Sequence, residues 1–96
     1  MMQVFWTRHA KRRRREIFVH IAADNLNAAI VLDSKFQSLS VRLPQFPNSG
    51  RQGRVYGTRE IVIHPQYIAV YRIFEGRIEI LTIHHAARDY SAVVYP

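Results

Sequence analysis

The chain of 96 residues contains no cysteine, which removes disulfides, iron–sulfur clusters and thiolate zinc sites from consideration. It has no apolar run approaching the roughly 20 residues that a membrane-spanning helix needs. The opening Met1-Met2-Gln3-Val4-Phe5-Trp6 lacks the charged start and long apolar centre of a secretory leader, so a cytoplasmic domain is expected. Internal repeats are absent. Acidic residues are scarce, 7 against 14 Lys and Arg, and among the cations only Lys11 and Lys35 are lysine.

What remains is an ordinary globular composition, 48% hydrophobic and 22% charged, in a chain long enough for a single domain over residues 1–96. The formal charge is +7. Because the excess is carried by arginine, whose planar fork grips phosphate or carboxylate in bidentate fashion, a polyanionic or acidic partner is expected.

Hydropathy divides the chain into one strand, two helices and three strands. Gln3 to Thr7 is β-branched and aromatic and predicts a strand. From about Arg8 to Ala23 the pattern turns helical, with Ala10, Ile17, Phe18 and Ile21 as its apolar positions and a basic run, Lys11-Arg12-Arg13-Arg14-Arg15, in its first half. Asp24-Asn25 supplies a cap for a second helix. There Ala29, Leu32, Phe36, Leu39 and Leu43 recur every three or four residues, the clearest helical face in the sequence. Pro44 and Pro47 are expected to stop it. Residues 44 to 57 form a loop. Strands are predicted from Arg59 to His64, from Tyr67 to Phe74 after a Pro65-Gln66 turn, and from Arg77 to Ile83 after a Glu75-Gly76 hairpin. The fold class is therefore α+β: an N-terminal strand, a helical hairpin and a three-stranded antiparallel meander, with the helices on one face of the sheet.

Residues 57 to 74 carry an Arg59-Glu60 pair and a Tyr67-x-x-x-Tyr71-Arg72 strand, and His85-x-x-Arg88 closes the pattern. Together with Asp24-Asn25 followed by Ala28-Ala29, and Phe46-Pro47-x-x-Gly50-Arg51, these resemble the RelE/ParE superfamily of type II toxin–antitoxin toxins. The resemblance spans essentially the whole chain and departs in the first helix, where four consecutive arginines replace the family's acidic and apolar residues. It implies a cognate acidic antitoxin, operator DNA bound only through the antitoxin complex, and one of two targets. RelE-like members are ribosome-dependent endoribonucleases acting on mRNA. ParE-like members inhibit DNA gyrase.

Cleavage by a 2′-hydroxyl needs a base, a cation for the phosphorane and an acid for the leaving oxygen. His64, His85 and Tyr90, with Arg59, Arg72 and Arg88, are the candidates. The ribonuclease branch places an arginine on the central strand where this chain has Ile68, and its loop lysines are missing between residues 44 and 57. The resemblance is therefore nearer to ParE, a binding poison of gyrase without turnover of its own. A ribonuclease, or an inactive antitoxin-binding module, is the alternative. Expected target-binding residues are Arg59, Arg72, His85, Arg88 and Tyr90. Arg12, Arg13, Arg14 and Arg15 form a run that is solvated, antitoxin-facing or nucleic-acid-facing. Structural roles stand beside these: Arg72 in an ion pair with Glu79 or Glu60, Tyr67 and Tyr71 in the core, His64 capping its turn. Neither a metal nor another cofactor is expected, since His84 and His85 point to opposite faces of a strand. The apolar tail from Asp89 to Pro96 is expected either to pack back or to contact the target.

Overall fold

The computed structural model describes residues 2–86. The chain runs β1 (Val4–Trp6), α1 (Arg8–Ala22), α2 (Leu26–Gln45), β2 (Arg51–Gln52), β3 (Arg59–His64), β4 (Tyr67–Phe74) and β5 (Arg77–His85). The five strands form one sheet in the order β1-β5-β4-β3-β2. The α+β class, with a helical hairpin against the sheet, is as the hydropathy predicts.

Both helices start at capping side chains. Thr7 Oγ1 accepts from the Ala10 amide at 3.1 Å, and Asn25 Oδ1 from the Ala28 amide at 3.0 Å. The five apolar positions of α2 are all buried, from Ala29 to Leu43. In α1 only Ala10 and Ile17 are buried, because the basic run occupies the remaining faces of its first half. The helices pack on the side of the sheet that carries Ile61, Ala69, Tyr71, Ile78 and Ile80, and Tyr67 and Ile83 close the core against Ile17, Leu32 and Phe36.

Pro44 does not end α2; it lies inside the last turn, and the helix continues to Gln45. Proline costs the bond its amide would have made to the Ser40 carbonyl, but the turn still closes because the Phe46 amide reaches the Arg42 carbonyl at 3.0 Å. The loop expected between residues 44 and 57 contains the two-residue strand β2, whose Arg51 and Gln52 pair with Glu60 and Arg59. Two residues are too few to show a period. β5 runs two residues past Ile83, and the β4–β5 turn places both Glu75 (φ 51°) and Gly76 (φ 76°) in the left-handed region.

Two further features position the site. β1 pairs with β5 in parallel, Val4 opposite Ile78 and Trp6 opposite Ile80, which joins the N-terminal strand to β5. A bulge in β5 leaves Leu81 without a partner between the pairs Tyr71–Ile80 and Val70–Thr82. Because of it, Ile80 and Ile83 both face the helices, while Thr82 and His84 pair with Val70 and Ile68.

Candidate functional site

An α-helix turns about 100° per residue, so four consecutive arginines cannot share one face. The run on α1 divides accordingly. Arg14 leans toward α2, where its Nε and Nη2 donate to Asp33 Oδ1 and Oδ2 at 2.7 and 2.9 Å and Nη2 also reaches Gln37 Oε1 at 3.0 Å. Its guanidinium stands 4.9 Å from the centre of the Trp6 ring. Arg13 leans the other way and donates from Nε to the Ile83 carbonyl at 3.2 Å, tying α1 to β5. Arg12 and Arg15 point outward and are exposed. Nearby, His9 Nε2 lies 3.0 Å from Thr82 Oγ1. Residues 12–15 are thus two tethers and two solvent-facing cations, not a single patch.

Arg59 and Glu60, neighbours on β3, diverge as strand geometry requires. Nη1 of Arg59 donates to the Gly50 carbonyl at 2.7 Å and to the Asn48 carbonyl at 3.3 Å, holding the loop after α2. Glu60 is 3% exposed and accepts from Arg51 Nη2 at 3.4 Å and from the Arg54 amide at 3.3 Å. Tyr71, fully buried, accepts from the Gly50 amide at 2.9 Å and donates to the Pro47 carbonyl at 2.7 Å.

Arg72 sits opposite Glu79 on the outer face, its Nε 2.7 Å from Glu79 Oε1, and its guanidinium lies 4.3 Å from the Phe74 ring centre. Arg77 reaches the other oxygen of Glu79 at 3.0 Å. The hydrogen bond from Arg72, reinforced by Arg77 and by both positive charges, holds the Glu79 carboxyl below its ordinary value against the opposing effect of burial. Phe5 and Phe74, 47% and 40% exposed, flank this cluster.

The histidines lie at the opposite end of β4. Tyr67 is cross-strand to both His64 and His85, on the helix side, and its ring meets that of His85 edge-on at 5.4 Å. His64 Nδ1 accepts from the Gln66 amide at 3.2 Å, closing the turn. The cross-strand neighbours of Ile68 on the outer face are Val62 and His84. At about 3.3 Å per residue, Arg72 is about 13 Å along β4 from Ile68, and its guanidinium is drawn the other way, to Glu79 and Phe74. The structure therefore does not bring Arg59, Arg72, His64 and His85 to one point. Arg88 and Tyr90, and the tail from residue 89 to 96, lie outside the described residues. Among the described residues, no group of three His, Asp or Glu is placed to hold a metal ion, and no helix is long and apolar enough to cross a membrane.

A groove of about 570 Å³ opens between the α1–α2 turn and the β3–β4 turn. Ile21, Val31, Leu32 and Tyr67 form its apolar wall, and Lys35 and His64 stand at its polar edge. Leu26, Ile30 and Val31 of α2 are more than half exposed beside it.

Sequence reasoning missed the Arg14–Asp33 clamp, although a signal exists. In a hairpin folded about Ala23 and Asp24, these two residues are equidistant from the turn. The bond from Arg13 to a backbone carbonyl and the His9–Thr82 contact have no such signature.

A family model described as the ParE toxin of type II toxin–antitoxin systems (parDE) matches residues 4–90. The Y4kP protein of Sinorhizobium fredii is 37% identical over 93 residues, 96% of each chain. Toxin RelE2 of Caulobacter vibrioides is 31% identical, over 92% of this chain and 99% of its own. Among solved structures, a chain of the chromosomal ParDE system from P. aeruginosa superposes with a TM-score of 0.78 at 26% identity, covering 88% of this chain and 96% of that one. The family match, the relatives and the superposition agree, and the chain belongs to the ParE toxin family of type II toxin–antitoxin systems.

Proposed function

We propose that this toxin acts by binding DNA gyrase and stabilising its broken-DNA state, without chemistry of its own, and that a cognate acidic antitoxin neutralises it. The observation that carries this reading is that, among the described residues, the groups that RNA cleavage would need are dispersed. Arg72 is committed to Glu79 at one end of β4, Arg59 to two loop carbonyls, and His64 and His85 flank Tyr67 at the other end. Beside Ile68 the register supplies Val62 and His84, neither of them a guanidinium. A phosphorane without its counter-charge loses several kcal/mol of stabilisation, on the order of 3. A poison needs only a higher affinity for one state of its target than for the other.

The groove between the two turns supports the antitoxin part of the proposal. Its apolar wall suits the buried face of an amphipathic segment, and Lys35 at its rim suits an acidic one. Supercoiling by purified gyrase, measured beside cleavage of a message on translating ribosomes, tests the target. Inhibited supercoiling with an intact message is the expected result. An untouched gyrase with a cut message overturns the proposal in favour of the ribonuclease.

A further inference from the structure

The outward face of α1 is a row of cations with no carboxylate paired to it among the described residues. Arg8, Lys11, Arg12 and Arg15 are all exposed. At 3.6 residues per turn they fall within an arc of about 100°, opposite the buried Ala10 and Ile17. Among the described residues, the side chains of Arg8, Lys11 and Arg15 make no hydrogen bond or ion pair, and the Arg12 guanidinium approaches only His9 Nδ1, at 3.5 Å. The one acidic residue of the helix, Glu16, is turned toward Arg13. No acidic side chain lies in the first turn, so the positive end of the helix dipole adds to the same field.

We infer that this row, Arg8-Lys11-Arg12-Arg15, binds the phosphate backbone of duplex DNA without regard to sequence. The row spans about 10 Å of helix, a length over which several phosphates are presented. Its composition narrows the partner. A protein interface is built around buried apolar or aromatic anchors, and none stands among these four residues; the nearest exposed apolar side chain of α1 is Val19, a turn further on. Single-stranded nucleic acid is held by aromatic platforms on which bases stack, and none of the four positions of the row is aromatic; the one exposed ring of α1, His20, lies beyond Arg15 and off the row. Cations alone, on a straight helix, suit the regular charge of a duplex. Arginine further favours phosphate through paired N–H donors. This contact is separate from the gyrase proposal, since it is a property of the chain in the absence of any enzyme.

The test is binding of a labelled duplex of arbitrary sequence, roughly 20 base pairs long, to the purified chain across a salt series. Four neutralised phosphates give a slope of log affinity on log salt of about −3.6, so affinity falls about 150-fold between roughly 50 and 200 mM salt. The quadruple variant Arg8→Gln, Lys11→Gln, Arg12→Gln, Arg15→Gln is expected to abolish binding, whereas Lys35→Gln with Arg42→Gln, exposed cations of α2, leaves it within about twofold. If the quadruple variant does not fold, Arg12→Gln and Arg15→Gln singly are each expected to reduce the slope by about 1. The inference is overturned if the duplex fails to bind, if the α2 pair weakens it as much as the α1 row does, or if single-stranded RNA binds more tightly than the duplex.

Discussion

The phenol of Tyr71 and the amide of Gly50 meet at 2.9 Å inside the protein, and the same hydroxyl donates to the Pro47 carbonyl at 2.7 Å. The loop that leaves α2 is thereby fastened to the centre of β4. A Cβ at residue 50 would lie 2.8 Å from both Cε1 and Oη of Tyr71 and 2.9 Å from the Glu60 carbonyl. Tyr71→Phe leaves a buried N–H and a carbonyl without partners and is expected to destabilise by about 2 kcal/mol in urea unfolding. Gly50→Ala forces the ring and the backbone of β3 apart and should reduce stability by a similar amount. Unaltered midpoints in both variants would show that the loop is held elsewhere.

The pair Arg14 and Asp33 joins the two helices through two charge-assisted bonds, with side chains 20% and 35% exposed. A double-mutant cycle of Arg14→Gln and Asp33→Asn is expected to give a coupling of about 1 kcal/mol, toward the upper end for partly exposed pairs. Zero coupling would assign the arginine's contribution to its stacking on Trp6 and its bond to Gln37.

Glu79 contributes a pH dependence of definite sign. Its carboxyl is held low in the folded protein, mainly by the hydrogen bond from Arg72, so the unfolded chain takes up its proton first as pH falls. The stabilisation is therefore present above the ordinary carboxylate range, about 4.3, and is lost as the pH drops through the lower folded value. Between neutral pH and pH about 3, Glu79→Gln should show a shallower fall in stability than the unmodified protein. Parallel acid limbs would exclude this pair as a source of the dependence.

Arg59 separates a structural role from a functional one. Its two carbonyl contacts fix residues 48 and 50, so Arg59→Ala is expected to raise amide exchange in the loop between α2 and β3 by about tenfold, equivalent to one lost hydrogen bond. Inhibition of the target should fall no further than that of Tyr71→Phe, which loosens the same loop. A much larger loss would mean that Arg59 touches the target directly.

The elements most legible in the sequence are those with a period and a stop. The stripe from Ala29 to Leu43 lies on one face of α2, and β3 and β4 begin and end at the residues their flanking turns dictate, Pro65 and the Glu75-Gly76 pair. The bulge at Leu81 was not legible, because Arg77 to His85 alternates plausibly without it. Nor was the parallel pairing of β1 with β5, since the choice of an edge partner is made across 74 residues, the separation of Val4 and Ile78. On α1 the basic run was visible as composition, but its division into tethers and an outward row depends on what stands to either side: Asp33 on α2 and the Ile83 carbonyl on β5. Arg59, Arg72, His64 and His85 could be picked out singly as candidates, whereas the carbonyl contacts that hold Arg59 to residues 48 and 50 could not.

The strand formed by Val4 to Trp6 has its mate in β5. A ribosome must polymerise through residue 80 before Val4, Phe5 and Trp6 gain the backbone partners that complete the sheet. Until then the nascent toxin has β3 and β4 beneath its helices but lacks Ile80 and Ile83 to fill the core, and a message broken upstream of that point leaves Val4 to Trp6 without a full set of backbone partners.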